Sequence, residues 1–424
     1  MTYEFEYLMH LLGAAAQGTP ALPPRQELSW WKLSVYAQEQ MLSPMVLDVM
    51  IAHPELGYPV AAVQEKAELA TVKAMKECAK RMMVINLLED MERAGIHTVM
   101  VKGSVAAVNY ANPEKRYSTD TDIWVALDDE ERACEFLRQR GFDVAVRWEN
   151  GHHSTAKHEA LGVVEVHIRL YDEIVETLWF GDLDPETFIQ EPHQRIKTAE
   201  GWCYTLGDTD HLIFIILHMI KHFISAGMCL RMMMDAALFM KKRRATLDMD
   251  RVWGVIRQMN FDRLFNAVLW IMVRYCGFSP EDLPGIGPEE PEQMALLLKD
   301  LESGGFLGVN DHEERSESAQ EYNRLLLMKD RNKFQYWLYM FRAKHKIRLS
   351  TFFPGRNRLY HEYPCLKKHP WLLPFVWVHR WITHGYALIF KKKLTGPMVY
   401  SEAEVSAQGK ERVAMFRSLG MLDR

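Results

Sequence analysis

The stretch Val99–Leu127, VMVKGSVAAVNYANPEKRYSTDTDIWVAL, decides how this chain is read. A β-rich run, His97–Val101, leads into Gly103–Ser104, which opens a short helix, Ser104–Tyr110. Asn112–Pro113 ends that helix, and Asp122–Leu127 is again β-like. Glycine lets the backbone approach a phosphate closely. Ser104 is a good N-cap and can donate its hydroxyl to a phosphate oxygen, while helix N–H groups point at the anion. Asp120 and Asp122 stand at i and i+2 at the start of a strand, so both side chains project on one face. Two carboxylates that close repel each other unless a cation sits between them. Mg²⁺ with phosphate oxygens completing its shell is the usual solution. Further on, Glu165 and His167 in VVEVHIRL also share one face of a strand, and Glu165 could supply a third carboxylate from a neighbouring strand.

Around this stretch the periodicity alternates between helix and strand. Val72, Met75, Ala79, Met82, Ile85 and Leu88 recur every three or four residues among Lys73, Lys76, Glu77, Lys80 and Arg81. That predicts an amphipathic helix, stopped at Gly95. Asp128–Arg140 reads as a helix with an acidic first turn, closed by Gly141. Phe142–Trp148, Ser154–His158 and Val163–Leu170 read as three strands, with Asn150–Gly151 turning between two of them. From Asp210 the helical period returns in Leu212–Phe223, Leu230–Lys241 and Val252–Tyr275. Ser303–Glu321 is polar and Gly-rich and is expected to be an exposed linker.

The chain has 424 residues, a formal net charge of −5 and 48% hydrophobic residues. That excludes whole-chain disorder and low-complexity or collagen-like classes. Two to four structural units are expected. The six cysteines form no C-x-x-C pair, and the N-terminus has no basic n-region. The longest apolar runs, Leu212–Leu217 and Trp371–Val378, are too short to span a membrane. A reduced, cytoplasmic protein with no transmembrane segment is the expectation. Phe341–Lys393 stands apart, with twelve Lys and Arg against the single Glu362 and with Phe352, Phe353, Tyr360, Tyr363, Trp371, Trp377 and Trp381 interleaved.

A Gly-Ser after a strand, D-x-D on a second strand and a lone acid on a later one resemble the polymerase-β-like nucleotidyltransferase superfamily. The ordered set VKGSVAAVNYANPEKRYSTDTDIWV, His152–His153, VVEVHIRL, DHLIFIILHMIKHF, LRMMMDAALFM and FFPGRNRLYHEYPCLKKHPWLLPFVWVHRW looks like a large bacterial family of uncharacterised nucleotidyltransferases. The resemblance runs from about Ser29 to Trp381. It implies that Gly103 and Ser104 hold a nucleoside triphosphate, with Lys102 and Arg116 in the same nucleotide-binding set. It implies that Asp120 and Asp122 bind Mg²⁺ or Mn²⁺, and that Glu165 binds the catalytic metal and accepts the acceptor's proton.

Each residue also has a plainer reading. Glu165 could pair with Arg169 or Arg147, and Arg116 could form an ion pair that holds the aspartate loop instead of clamping a phosphate. His211, His218, His222 and Ser225 fall on one helical stripe. That stripe, with Lys221, either faces the cleft or packs in the core, and Met219 after His218 breaks the H-E-x-x-H zinc pattern. His167 is read as backing the acids or as a packed residue rather than as a ligand. Arg231 and Asp235, at i and i+4, read as an ion pair.

The expected fold is α+β: a small mixed-sheet nucleotidyltransferase domain, 95–182, embedded between α-helical regions at 1–94 and 183–330, with a basic, aromatic-rich helical region at 331–424. The expected activity is transfer of a nucleoside monophosphate from an NTP to an acceptor hydroxyl with release of pyrophosphate. Small molecule, peptide or protein, and nucleic acid all remain open as acceptors. Two other readings compete: a catalytically silent nucleotide-binding regulator, and a nucleic-acid or anionic-surface binding module built on the basic C-terminal region.

Overall fold

The computed structural model describes residues 1–116, 118, 120–147, 151–169, 171, 179, 185–305, 310–330, 363, 365–379 and 405–422. The chain forms two compact units: Met1–Tyr322 together with Ser406–Arg424, and Asn323–Val405.

The first unit opens with four helices, α1 (Tyr3–Gln17), α2 (Trp30–Glu39), α3 (Ser43–Ala52) and α4 (Val60–Arg93). Helix α4 ends where Gly95 adopts a left-handed backbone, as its sequence predicts. The expected stripe holds only at its C-terminal end, at Ile85 and Leu88. Val84, Ile85, Leu87, Leu88 and Met91 enter the core, whereas Leu69, Val72, Met75 and Met82 are exposed. Arg81, expected on the wet face, is buried and bonded to buried Glu200 at 2.7 Å. That pair with a distant segment draws a charged side chain into the core, which the apolar periodicity alone does not predict.

Strand β1 (Val99–Val101), the short helix α5 (Gly103–Ala107), β2 (Asp120–Trp124) and α6 (Glu130–Gln139) follow. Then come β3 (Asp143–Ala145), β4 (His153–His158) and β5 (Gly162–His167). These are the strands and helices expected, somewhat shortened; Trp148 and Leu170, the expected strand ends, lie outside the described residues. Two further strands, β6 (Gln194–Lys197) and β7 (Trp202–Thr205), fall in the segment read as helical. Together they make a seven-stranded sheet of order β3-β4-β5-β2-β1-β7-β6. Strands β2 and β5 pair in parallel, as do β1 and β7; the remaining neighbours are antiparallel. The protein is therefore mixed α/β.

Strand alternation divides the sheet's two faces. Ile123, Val164, Val166 and Ala156 join α4 and α6 in one apolar core. The opposite face carries Asp120, Asp122, Glu165, His167 and His153.

Helices α7 (Asp208–Ser225), α8 (Leu230–Arg243), α9 (Met249–Gln258) and α10 (Asp262–Tyr275) come next. The single helix expected over Val252–Tyr275 is two helices. Asn260 between them takes φ +53°, a conformation Asn tolerates better than most residues. The expected linker Ser303–Glu321 is also overturned. Helix α11 (Pro291–Gly304) is followed by α12 (His312–Asp330), in which Arg315 and Ser318 are buried. Arg315 bonds Asp300 at 2.9 Å and also Asp311, so a charged sequence packs because its charges are paired. Helix α13 (Ala407–Ser418) completes this unit.

In the second unit, Leu366 and Val376 form a small apolar cluster with Tyr363, Leu372, Leu373 and Trp377. Most of the basic stretch Phe341–Lys393 lies outside the described residues. Among the described residues no helix is long and apolar enough to cross a membrane. All six cysteines are free thiols.

Candidate active site

The site is built where β1 ends and β2 and β5 run side by side. At the end of β1, Lys102 takes φ +59° and ψ −144°, and Gly103 takes φ +46°. Gly103 adopts this at no steric cost; Lys102 pays strain for it. Buried His211 of α7 pins the turn. The Thr205 hydroxyl donates to Met100 O at 2.8 Å, so its oxygen accepts from His211 Nδ1 at 3.2 Å. That leaves His211 Nε2 to accept the Lys102 backbone N–H at 3.2 Å. Burial holds the His211 imidazole down at about 4, in the neutral form this network needs. Ser104 is buried, and its hydroxyl has no partner among the described residues, so its donor is unspent.

The parallel register sets Asp122 directly opposite Glu165, and the antiparallel register of β4 sets His153 opposite His167. His167 Nε2 donates to Asp122 Oδ1 at 3.0 Å and stands 3.4 Å from Glu165 Oε2. Lys102 Nζ lies 2.9 Å from the same Asp122 oxygen. Burial pushes the Asp122 carboxyl up, but the Lys102 ammonium and the His167 bond outweigh it and hold the carboxyl well below the usual carboxylate range. The His167 bond lowers Glu165 against the opposing effects of burial and Asp122. Burial opposes the His167 imidazolium, but its two carboxylate partners win and raise it. Asp120 is half-buried at the strand's start and accepts from Ser118 Oγ at 3.2 Å.

Helix α7 supplies the other wall. Lys102 Nζ donates to His218 Nε2 at 3.3 Å, and His222 Nε2 lies 2.9 Å from the same atom. Burial, with Lys102 adding to it, holds both imidazoles neutral, His222 at about 3. Lys221 Nζ donates to His152 Nε2 at 3.3 Å. The histidine stripe, Lys221 and the acids thus meet in one place.

Arg116 does not join them. It is buried and bonds both carboxylate oxygens of Asp235 on α8, at 3.0 and 2.5 Å, and Tyr110 donates to the same carboxylate at 2.7 Å. Of its two readings, the ion pair is the one the structure shows. Of the arginines considered for Glu165, Arg147 instead reaches Glu130 at 3.0 Å, and Glu165 meets His167 and His153. Sequence reading passed over His211 as a positioning group and His152–His153 as site residues. The His-His pair next to a strand was the available signal.

One oxygen or nitrogen from each of Asp122, Glu165 and His167 lies within 4.8 Å of the others, a donor set suited to a divalent ion. The chain belongs to the family described as uncharacterised nucleotidyltransferase, which matches residues 26–277. No curated protein and no solved structure matches the chain.

Proposed function

We propose that the protein is a divalent-metal-dependent nucleotidyltransferase of polymerase-β-like architecture. An acceptor oxygen attacks the α-phosphorus of an NTP in line. The new oxygen–phosphorus bond forms as the bond to the α,β-bridging oxygen breaks, and pyrophosphate leaves. The observation that supports this reading is the pairing of Asp122 with Glu165 across parallel strands, on the face that also carries Asp120.

Asp120, Asp122 and Glu165 would hold Mg²⁺ or Mn²⁺, which when bound supplies charge neutralisation at the phosphates. Glu165, ionised at neutral pH, is the acceptor for the attacking hydroxyl's proton. His167 orients both carboxylates. The Gly103 turn offers backbone N–H groups and the unspent Ser104 hydroxyl to the triphosphate. Rate enhancement in such a site comes mainly from positioning and charge neutralisation.

One observation favours a second reading, a nucleotide-binding regulator without turnover: Lys102 and His167 already satisfy Asp122. Incubating the protein with each α-³²P-labelled NTP, Mg²⁺ and cell extract separates the two. Labelled acceptor with release of pyrophosphate supports transfer. Saturable NTP binding with no labelled product supports the regulator.

A further inference from the structure

We propose that His152, His153 and His167 form a site for a transition-metal ion of the zinc class, adjoining the carboxylate centre and sharing His167 with it. One ring nitrogen from each lies within 4.8 Å of the other two. Adjoining strands hold the three rings: His153 faces His167 in the β4–β5 register, and the backbone N–H of Ile168 bonds His152 O at 3.0 Å. Ring centroids are 4.5 Å apart for His152–His153, 5.3 Å for His152–His167 and 5.0 Å for His153–His167. Zinc-class ions take imidazole nitrogens at about 2.0–2.1 Å, so the three nitrogens must draw together to share one ion.

Imidazole selects such ions over Mg²⁺, which takes oxygen ligands. His153 Nε2 stands 3.9 Å from Glu165 Oε2, which puts a carboxylate within reach of the same ion. His152 and His153 are half-buried, so the site has an entry path, whereas His167 is buried. The His167 imidazolium must release a proton to solvent before it can bind an ion, and the Lys221 ammonium also opposes a cation here. It donates to His152 Nε2 and must turn away when the ion enters. His167 is shared with the proposed transfer centre, but the metal site does not depend on nucleotide chemistry.

The test uses the full chain, stripped with a chelator and titrated with Co²⁺ in the absence of NTP. The expected result is one Co²⁺ per chain with the intense ligand-field absorption of a four-coordinate ion. One equivalent of Zn²⁺ should displace it, and a large excess of Mg²⁺ should not. His152→Gln and His153→Gln should each weaken binding by roughly 100-fold or more, since even groups that only orient a ligand are worth 10–100-fold. Asp120→Asn should leave it unchanged. Absence of bound Co²⁺ would overturn the proposal. So would weak six-coordinate absorption abolished by Mg²⁺, which would mean an ion at the carboxylates alone. The Mg²⁺ competition on the unaltered protein decides the matter even if a histidine variant fails to fold. Labelled-product formation is measured separately, so a missing imidazole site leaves the transfer reading standing.

Discussion

Lys102 combines two roles that can be separated. Its backbone sits in a region that normally admits only glycine, while its ammonium neutralises Asp122. Lys102→Gly removes the charge and the strain, whereas Lys102→Ala removes the charge alone. The glycine variant should be more stable than the alanine variant by about 1–3 kcal/mol, as read by denaturant unfolding, and both should lose nucleotide transfer. Equal stability would mean that the turn is not strained. His211 gives a pH signature. Its folded value of about 4 lies below the unfolded 6.5, so the unfolded chain binds the extra proton between those values. Its contribution is therefore complete above pH 6.5 and is lost as the pH falls toward 4, a total of about 3 kcal/mol. His211→Asn should flatten the slope of stability against pH in that window by about 1.4 kcal/mol per unit. An unchanged slope would assign the acid lability to other histidines.

At the level of elements, local patterns carried the strand–helix order from Val99 to His167. Gly95 and Gly141, Asp120 and Asp122 on one face, and Glu165 on a neighbouring strand were all legible because each depends on residues close in sequence. What depended on distant partners was not. Arg81 of α4 lies inside because Glu200 pairs with it there. The strands β6 and β7 are short, and Trp202–Thr205 earns its place by pairing with β1. Arg116 was ambiguous until α8 brought Asp235 to it. That buried pair makes a definite prediction. Arg116→Ala should destabilise the fold by about 3–5 kcal/mol, because it leaves Asp235 charged and buried, measured by equilibrium unfolding. A stable variant with weakened NTP affinity would restore the phosphate clamp.

At the largest scale, within the first unit, segments far apart in sequence close around one another. Arg412 of α13 bonds Asp300 at 2.9 Å, Ser318 at 3.0 Å and Ile224 O at 3.2 Å, and reaches Phe223 O as well. Phe416 packs edge-on against Phe223 and Tyr322. Arg412→Ala should therefore cost about 3–5 kcal/mol in equilibrium unfolding, although it lies on none of the strands that carry the acids. A loss within about 0.5 kcal/mol would place it among ordinary surface substitutions. Helix α7 carries both ends of this connection, with the Phe223 and Ile224 carbonyls toward Arg412 and His218 and His222 toward Lys102. The site is tested most directly by one comparison. Wild type, Asp120→Asn and Asp122→Asn, each shown to be folded, are incubated with α-³²P-NTP, Mg²⁺ and the same extract. Labelled product from wild type and none from either variant is the expected result. Comparable label from wild type and Asp122→Asn would contradict the assignment of these carboxylates.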